Sequence, residues 1–299
     1  MALSLLLLAI FASSAQAEVI TKKRQSGAAG KRAIEAYWTA ERLEAARPIE
    51  ALRTADGEPV VRPDKDALNH PTPFETGPVA DPTWPPNTVN GKVFGKIRGV
   101  GGYECSATSV DALGRNVIVT AGHCVAEPGL DIAKKIVFIP SFENGVRPYG
   151  TWVYEKIHVL KSWRKRQNFN FDFSAVRMSP QNGINLQDAV GGSTPTINLP
   201  VDQTYTSVGY PSNIEDGQVM WNCIGPFAGR DPRPIPKGPL PIAMGCDMGP
   251  GASGGGWFVN GSLVSVTSFG YEDHPDVGYG PFFGAKARKL FIDAGVNIP

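Results

Sequence analysis

Downstream of residue 90 the chain breaks into short runs rich in β-branched and aromatic residues. They fall at 91–97, 106–110, 117–119, 136–139, 152–160, 173–177, 206–208, 218–223, 256–259 and 263–268, with Gly, Asn, Asp and Pro between them. Short strands punctuated by turn formers at this spacing predict an all-β sandwich or barrel. A helical period appears only near the end, at 285–294. Upstream the texture differs. Ile34, Tyr37, Trp38, Leu43 and Ala45 recur among Lys, Arg and Glu, so 31–47 is predicted to be an amphipathic helix stopped by Pro48. From 48 to 86 the chain carries nine prolines and little periodicity, the texture of an extended linker or prosegment. A disordered tail is the plainer alternative.

The first residues set the compartment. Residues 3–12 are almost wholly apolar, and Ala15-Gln16-Ala17 places small residues where a signal peptidase reads them. Cleavage is expected after Ala17. A membrane anchor needs about 20 apolar residues, and no segment reaches that length. The expected organisation is a signal peptide at 1–17, a prosegment or linker at 18–88 and one folded unit at 89–299. The expected location is extracellular or periplasmic, with no membrane association after signal cleavage. Charge refines the picture: 29 Lys+Arg against 28 Asp+Glu leave no basic excess to bind nucleic acid. In an exported chain, four cysteines suggest two disulfides. The rival use is a metal site, but no C-x2-C pair exists and His123 directly precedes Cys124, which is not ligand spacing. No metal and no cofactor is expected.

Three segments carry chemistry. In Val119-Thr120-Ala121-Gly122-His123-Cys124 an apolar strand runs into small residues and a histidine. In Asn170-Phe171-Asp172-Phe173 a carboxylate is flanked by apolar residues, as a buried one would be. In Gly251-Ala252-Ser253-Gly254-Gly255 a serine occupies a glycine-rich turn that enters a strand. A serine hydroxyl is a poor nucleophile and needs an adjacent base. Histidine supplies one near physiological pH, and a buried carboxylate holds the ring in the right tautomer. Each segment alone is a weak signal. Their order, His then Asp then Ser, is one of the known chain orders of a catalytic triad.

With these motifs the chain resembles the chymotrypsin/trypsin-like serine peptidase superfamily, most closely its bacterial secreted branch with the glutamyl endopeptidase-like enzymes. Thr-Ala-Gly-His-Cys at 120–124 carries the resemblance, supported by Phe138-Ile139-Pro140-Ser141-Phe142 and Gly209-Tyr210-Pro211. The resemblance implies two six-stranded antiparallel β-barrels with the active site in the cleft between them, and a short C-terminal helix. It implies His123, Asp172 and Ser253 as triad, and the N–H groups of Gly251 and Ser253 as oxyanion hole. It further implies Ser268, Phe269 and Gly270 as the edge that pairs with substrate, and bridges Cys105–Cys124 and Cys223–Cys246. The implied partners are protein or peptide substrates, and a monomer is expected.

Several positions depart from the pattern. Ala252 stands where animal trypsins carry the Asp that captures a new N-terminal amine, so that activation switch is excluded. Thr267 replaces the His that glutamyl-specific members place before the substrate-edge Ser. Asp247 has the sequence offset of a basic-specificity residue, but Cys246 beside it disturbs the register, and a loop carboxylate is expected. The basic run Lys161-Ser-Trp-Arg-Lys-Arg166 reads as a solvated loop. Two other functions compete with peptide hydrolysis. A non-catalytic module would have lost a triad residue, and an α/β-hydrolase esterase orders its triad Ser, Asp, His.

Overall fold

The computed structural model describes residues 18–24, 27–49, 73–232, 237–271 and 274–299. The expected signal peptide at 1–17 lies outside them, as does most of the proline-rich stretch. The N-terminal segment holds β1 (Val19–Lys23), α1 (Ala28–Tyr37), α2 (Ala40–Glu44), β2 (Arg47–Pro48) and β3 (Glu75–Pro78). The predicted helix over 31–47 is therefore two. Trp38 leaves helical geometry between them, with ψ at 73°, because its ring is drawn into the core. There it packs on Phe94, with centroids 5.6 Å apart, and its indole N–H donates to the Lys135 carbonyl at 2.7 Å. The proline-rich stretch supplies a strand that no local pattern announces.

The first half of the main unit holds β4 (Asn90–Ile97), β5 (Gly101–Val110), β6 (Val117–Thr120), β7 (Lys134–Pro140), β8 (Trp152–Leu160), α3 (Lys161–Arg166), β9 (Ser174–Met178) and α4 (Leu186–Val190). The six strands β4 to β9 close into an antiparallel barrel. On β8, Trp152 and Val153 pair with β7, while Lys156–Leu160 take β1 as an antiparallel partner. β1 thus satisfies backbone groups that β7 leaves uncovered. The basic run at 161–166 is a short helix, not a loop: Trp163 is buried, and its indole N–H donates to the Ala126 carbonyl at 3.0 Å.

The second half holds β10 (Thr204–Gly209), β11 (Trp221–Arg230), β12 (Ile242–Gly245), β13 (Gly256–Val259), β14 (Ser262–Val266), β15 (Phe269–Tyr271), β16 (His274–Gly280) and α5 (Ala285–Ala294). This sheet curls in the order β14-β13-β10-β11-β12-β16-β15, with β3 added to β11. Curled in this way it forms a half-barrel beside the closed first one, the expected double-barrel arrangement. β14 and β15 lie at its two ends, yet the chain passes straight between them through Thr267 and Ser268. Thr267 N–H donates to Gly255 at 2.8 Å, and Ser268 N–H to Tyr279 at 2.9 Å. That bend brings the sheet ends together by chain connection rather than by ladder. α5 covers the first barrel with Ala287, Leu290, Phe291 and Ala294, and ends on Gly295 in the left-handed conformation that glycine favours.

The barrels meet along β5, which is buried from Tyr103 to Val110. β2 pairs with it at Tyr103 and Glu104, and β6 from Thr108 onward. In the gap between, the Ser106 N–H donates to the Ser253 carbonyl at 2.7 Å. A turn of the second sheet therefore completes an edge of the first barrel.

Candidate active site

His123 follows β6, and Asp172 follows a single 3-10 turn at Phe169–Phe171, which Asn168 caps by accepting from the Asn170 N–H. Asp172 is fully buried. Its Oδ1 accepts the backbone N–H of His123 at 2.8 Å, and its Oδ2 lies 2.7 Å from Nδ1 of the His123 ring. A third donor, the Ser268 hydroxyl, reaches the same Oδ2 at 2.6 Å. A buried carboxylate is tolerated when hydrogen bonds surround it, and these three supply that environment. With Nδ1 donating to Asp172, the ring carries its lone pair on Nε2.

Ser253 comes from the second sheet, in the turn before β13. Gly254 makes its approach possible. It has φ of +81°, and a Cβ there would lie 2.0 Å from Thr120 Oγ1 and 2.4 Å from the Ser106 carbonyl. No side chain fits, so the turn sits directly on the strand that leads to His123. The Ser253 carbonyl lies 3.6 Å from Cys124 Sγ, next in sequence to His123. Two expected site segments thus meet across the barrel junction. Within the turn, Ala252 N–H donates to Gly249, Gly254 N–H to Thr267 and Gly255 N–H to Ala252.

Cys105 is bridged to Cys124, with S–S 2.06 Å and Cα–Cα 6.2 Å, and Cys223 to Cys246, with Cα–Cα 5.5 Å. Cys105, His123 and Cys124 cluster closely enough to suggest a metal, as do Cys223, Cys246 and Asp247. Both clusters have their sulfurs in disulfides, so neither offers a thiolate.

A cavity of about 300 Å³ opens beside Ser253, bordered by Asp247, Met248, Thr267, Gly270, His274 and Val277. Ser268 and Phe269 also border it, and Phe269 stacks on Tyr279 and meets Phe169 edge-on, each at 5.0 Å. Asp247, in the loop after β12 as expected, also borders this cavity, and its Oδ1 accepts from the Thr76 hydroxyl of β3 at 2.7 Å. A larger cavity of about 590 Å³ lies between α3 and the start of α5, bordered by Arg166, Phe171, Lys237 and Lys286, and does not include Ser253.

Sequence reasoning missed the Ser268–Asp172 hydrogen bond, since Ser268 was expected only as an edge residue. It also missed Ser106 and Thr76 altogether. No motif marks them, and their partners lie more than a hundred residues away in sequence.

A closed antiparallel barrel and a curled second sheet, with a His–Asp pair on one and a serine turn of the other against it, define a trypsin-like double-barrel protein. The trypsin family model matches residues 87–286, and the chain belongs to that family. It is similar to the solved protease Anisep from Arthrobacter nicotinovorans, at 30% identity and TM-score 0.64, covering 70% of this chain and 95% of that one. It is also similar to the thermostable serine protease AL20 from an extremophilic microorganism, at 31% identity and TM-score 0.64, covering 70% and 97%. The glutamyl endopeptidase of Bacillus licheniformis is 30% identical over 117 residues, 39% of this chain and 36% of that protein. The matches span little more than a third of the length of the curated relatives.

Proposed function

We propose that this chain is a secreted serine endopeptidase that hydrolyses peptide bonds through an acyl-enzyme on Ser253. The observation that carries the reading is Asp172 holding both the backbone and the ring of His123, with the Ser253 turn lodged against the neighbouring Cys124 and Thr120. In the proposed cycle Ser253 Oγ attacks the scissile carbonyl carbon while its proton passes to His123 Nε2. The carbonyl oxygen becomes an oxyanion received by the N–H groups of Gly251 and Ser253. His123 then returns the proton to the leaving amine, and the acyl ester remains on Ser253. Water enters by the same sequence in reverse and releases the acid. The substrate backbone is expected along Ser268, Phe269 and Gly270. Export is supported by the apolar leader at 1–17 and by two disulfides, which form in oxidising compartments.

The test is Ser253→Ala together with a peptidyl organophosphonate. Loss of a triad serine costs roughly 10⁶-fold in turnover, so the variant should lose peptide hydrolysis while keeping its circular dichroism. The phosphonate should modify Ser253 in the wild-type chain. Labelling at another serine, or full activity in the variant, would overturn the assignment.

A further inference from the structure

The glycine-rich turn has to be held in one shape. Gly251 has φ of +94°, a region open to glycine but costly for other residues. Because glycine moves readily between backbone conformations, the peptide units flanking Gly251 need outside restraint. Ala252 contributes only a methyl group, so no side chain at that position can supply one.

Ser106 on β5 supplies it from the other barrel. Its side chain is 1% exposed. Its Oγ donates to the Gly251 carbonyl at 2.8 Å and accepts the Tyr210 N–H at 2.9 Å. Its own N–H donates to the Ser253 carbonyl at 2.7 Å. One residue therefore fixes two carbonyls of the turn. Ser212 fixes a third: its N–H and its hydroxyl both donate to the Pro250 carbonyl, at 2.7 and 2.8 Å. That carbonyl shares a peptide unit with the Gly251 N–H. In a trans peptide the C=O and N–H point in opposite directions, so tying the carbonyl to Ser212 aims the Gly251 N–H the other way.

We propose that Ser106 is a positioning residue for the oxyanion site. Together with Ser212 it fixes the peptide units on both sides of Gly251, so the site is ordered by the junction of the barrels and not by a captured N-terminal amine. This rests on the serine-peptidase reading above. Preorganised donors act on charge that develops only in the transition state. Disturbing their support therefore lowers kcat and leaves KM nearly unchanged. Complete loss of one such donor costs about 10²–10³-fold, and loosening the turn should cost less, roughly 10- to 100-fold.

Ser106→Ala and Ser212→Ala in the full chain provide the test, with kcat and KM measured on a chromogenic peptide. Inhibition by a peptide aldehyde, whose tetrahedral adduct places an oxyanion in the site, is compared with inhibition by a non-covalent competitive peptide. For Ser106→Ala, kcat should fall and aldehyde affinity should weaken by the same factor, with KM and competitive inhibition held. Ser212→Ala keeps its backbone donor and should show the same pattern more weakly, which preserves the test if Ser106→Ala fails to fold. Unchanged kcat and aldehyde binding in the folded variants overturn the inference, as does a parallel loss of competitive binding, which marks general damage to the cleft. A wild-type chain that cleaves no peptide and takes no phosphonate on Ser253 removes the functional reading, and this inference with it.

Discussion

Replacing Trp38 with alanine tests whether the N-terminal segment is part of the working molecule or a detachable leader. Trp38 is 2% exposed, with Ile34, Leu43 and Ile49 also buried in the same core as β4 and β7. Truncating a buried Trp to Ala costs about 3–5 kcal/mol. The Tyr37 side of the site is half-buried and can relax, so the lower end, about 3 kcal/mol, is the expected loss. Unfolding of a chain this long has a steep urea dependence, about 3 kcal/mol per molar. The urea midpoint should therefore fall by about 1 M. Trp38→Phe keeps most of the buried area, loses the hydrogen bond to Lys135 and should lose less than half as much. Both are best followed by circular dichroism in the Ser253→Ala background, where self-digestion cannot enter. An unchanged midpoint would refute the reasoning, because the barrels would then be folding without the segment. The outcome also bears on activation. We propose that cleavage in 18–88, with Arg53, Arg62 and Lys65 as basic cut sites, accompanies maturation. Yet complete removal would strip β1 from the first barrel and β3 from the second sheet. If 18–88 leaves the mature enzyme, N-terminal sequencing will show it and the mature form will be blind to Trp38→Ala.

Two further expectations concern buried charge. Lys92 and Glu104 form an ion pair at 2.7 Å with almost no solvent contact, and Lys92 also donates to the Gly217 carbonyl at 2.7 Å. Burial pushes the Lys92 ammonium below its usual range, and Glu104 opposes that shift. Lys92→Met should cost about 3–5 kcal/mol in urea unfolding by removing the cation that balances the buried Glu104 carboxylate, and Lys92→Met/Glu104→Leu should recover much of it; equal losses in both would contradict this account. His158 is buried with Nδ1 2.7 Å from Asp293, and no partner reaches its Nε2 among the described residues. Burial pushes its imidazole below the ordinary range, and the Asp293 hydrogen bond only partly offsets this. The unfolded chain therefore binds a proton first, below about pH 6.5. The His158 contribution to stability is full above that pH and is lost as pH falls toward the lowered folded value. Between pH 7.5 and 5 the wild type should lose more stability than His158→Gln, and parallel losses would exclude His158 as a source.

The candidate site residues were legible because the chemistry proposed for them constrains their immediate neighbours. A histidine at a strand end, a carboxylate between aromatics and a serine among glycines each need neighbours of a given size, and those neighbours are adjacent in the chain. Strand runs and the helix at 285–294 were legible for the same reason, since side-chain periodicity is a property of consecutive residues. What holds the site together was not. The Ser106 hydroxyl finds Gly251 and the Ser268 hydroxyl finds Asp172 only after the barrels have met, and Thr76 finds Asp247 only after β3 has joined the second sheet. A serine or threonine on a strand looks the same whether its hydroxyl faces water or a partner 171 residues away. The same limit hid β1 and β3, short strands whose pairing lies with β8 and β11 and not with anything nearby. It also hid the bend at Thr267 and Ser268 that brings the two ends of the second sheet together. Local sequence marked the candidate groups, and long-range hydrogen bonding, within the first barrel and across the junction, decided how they are held.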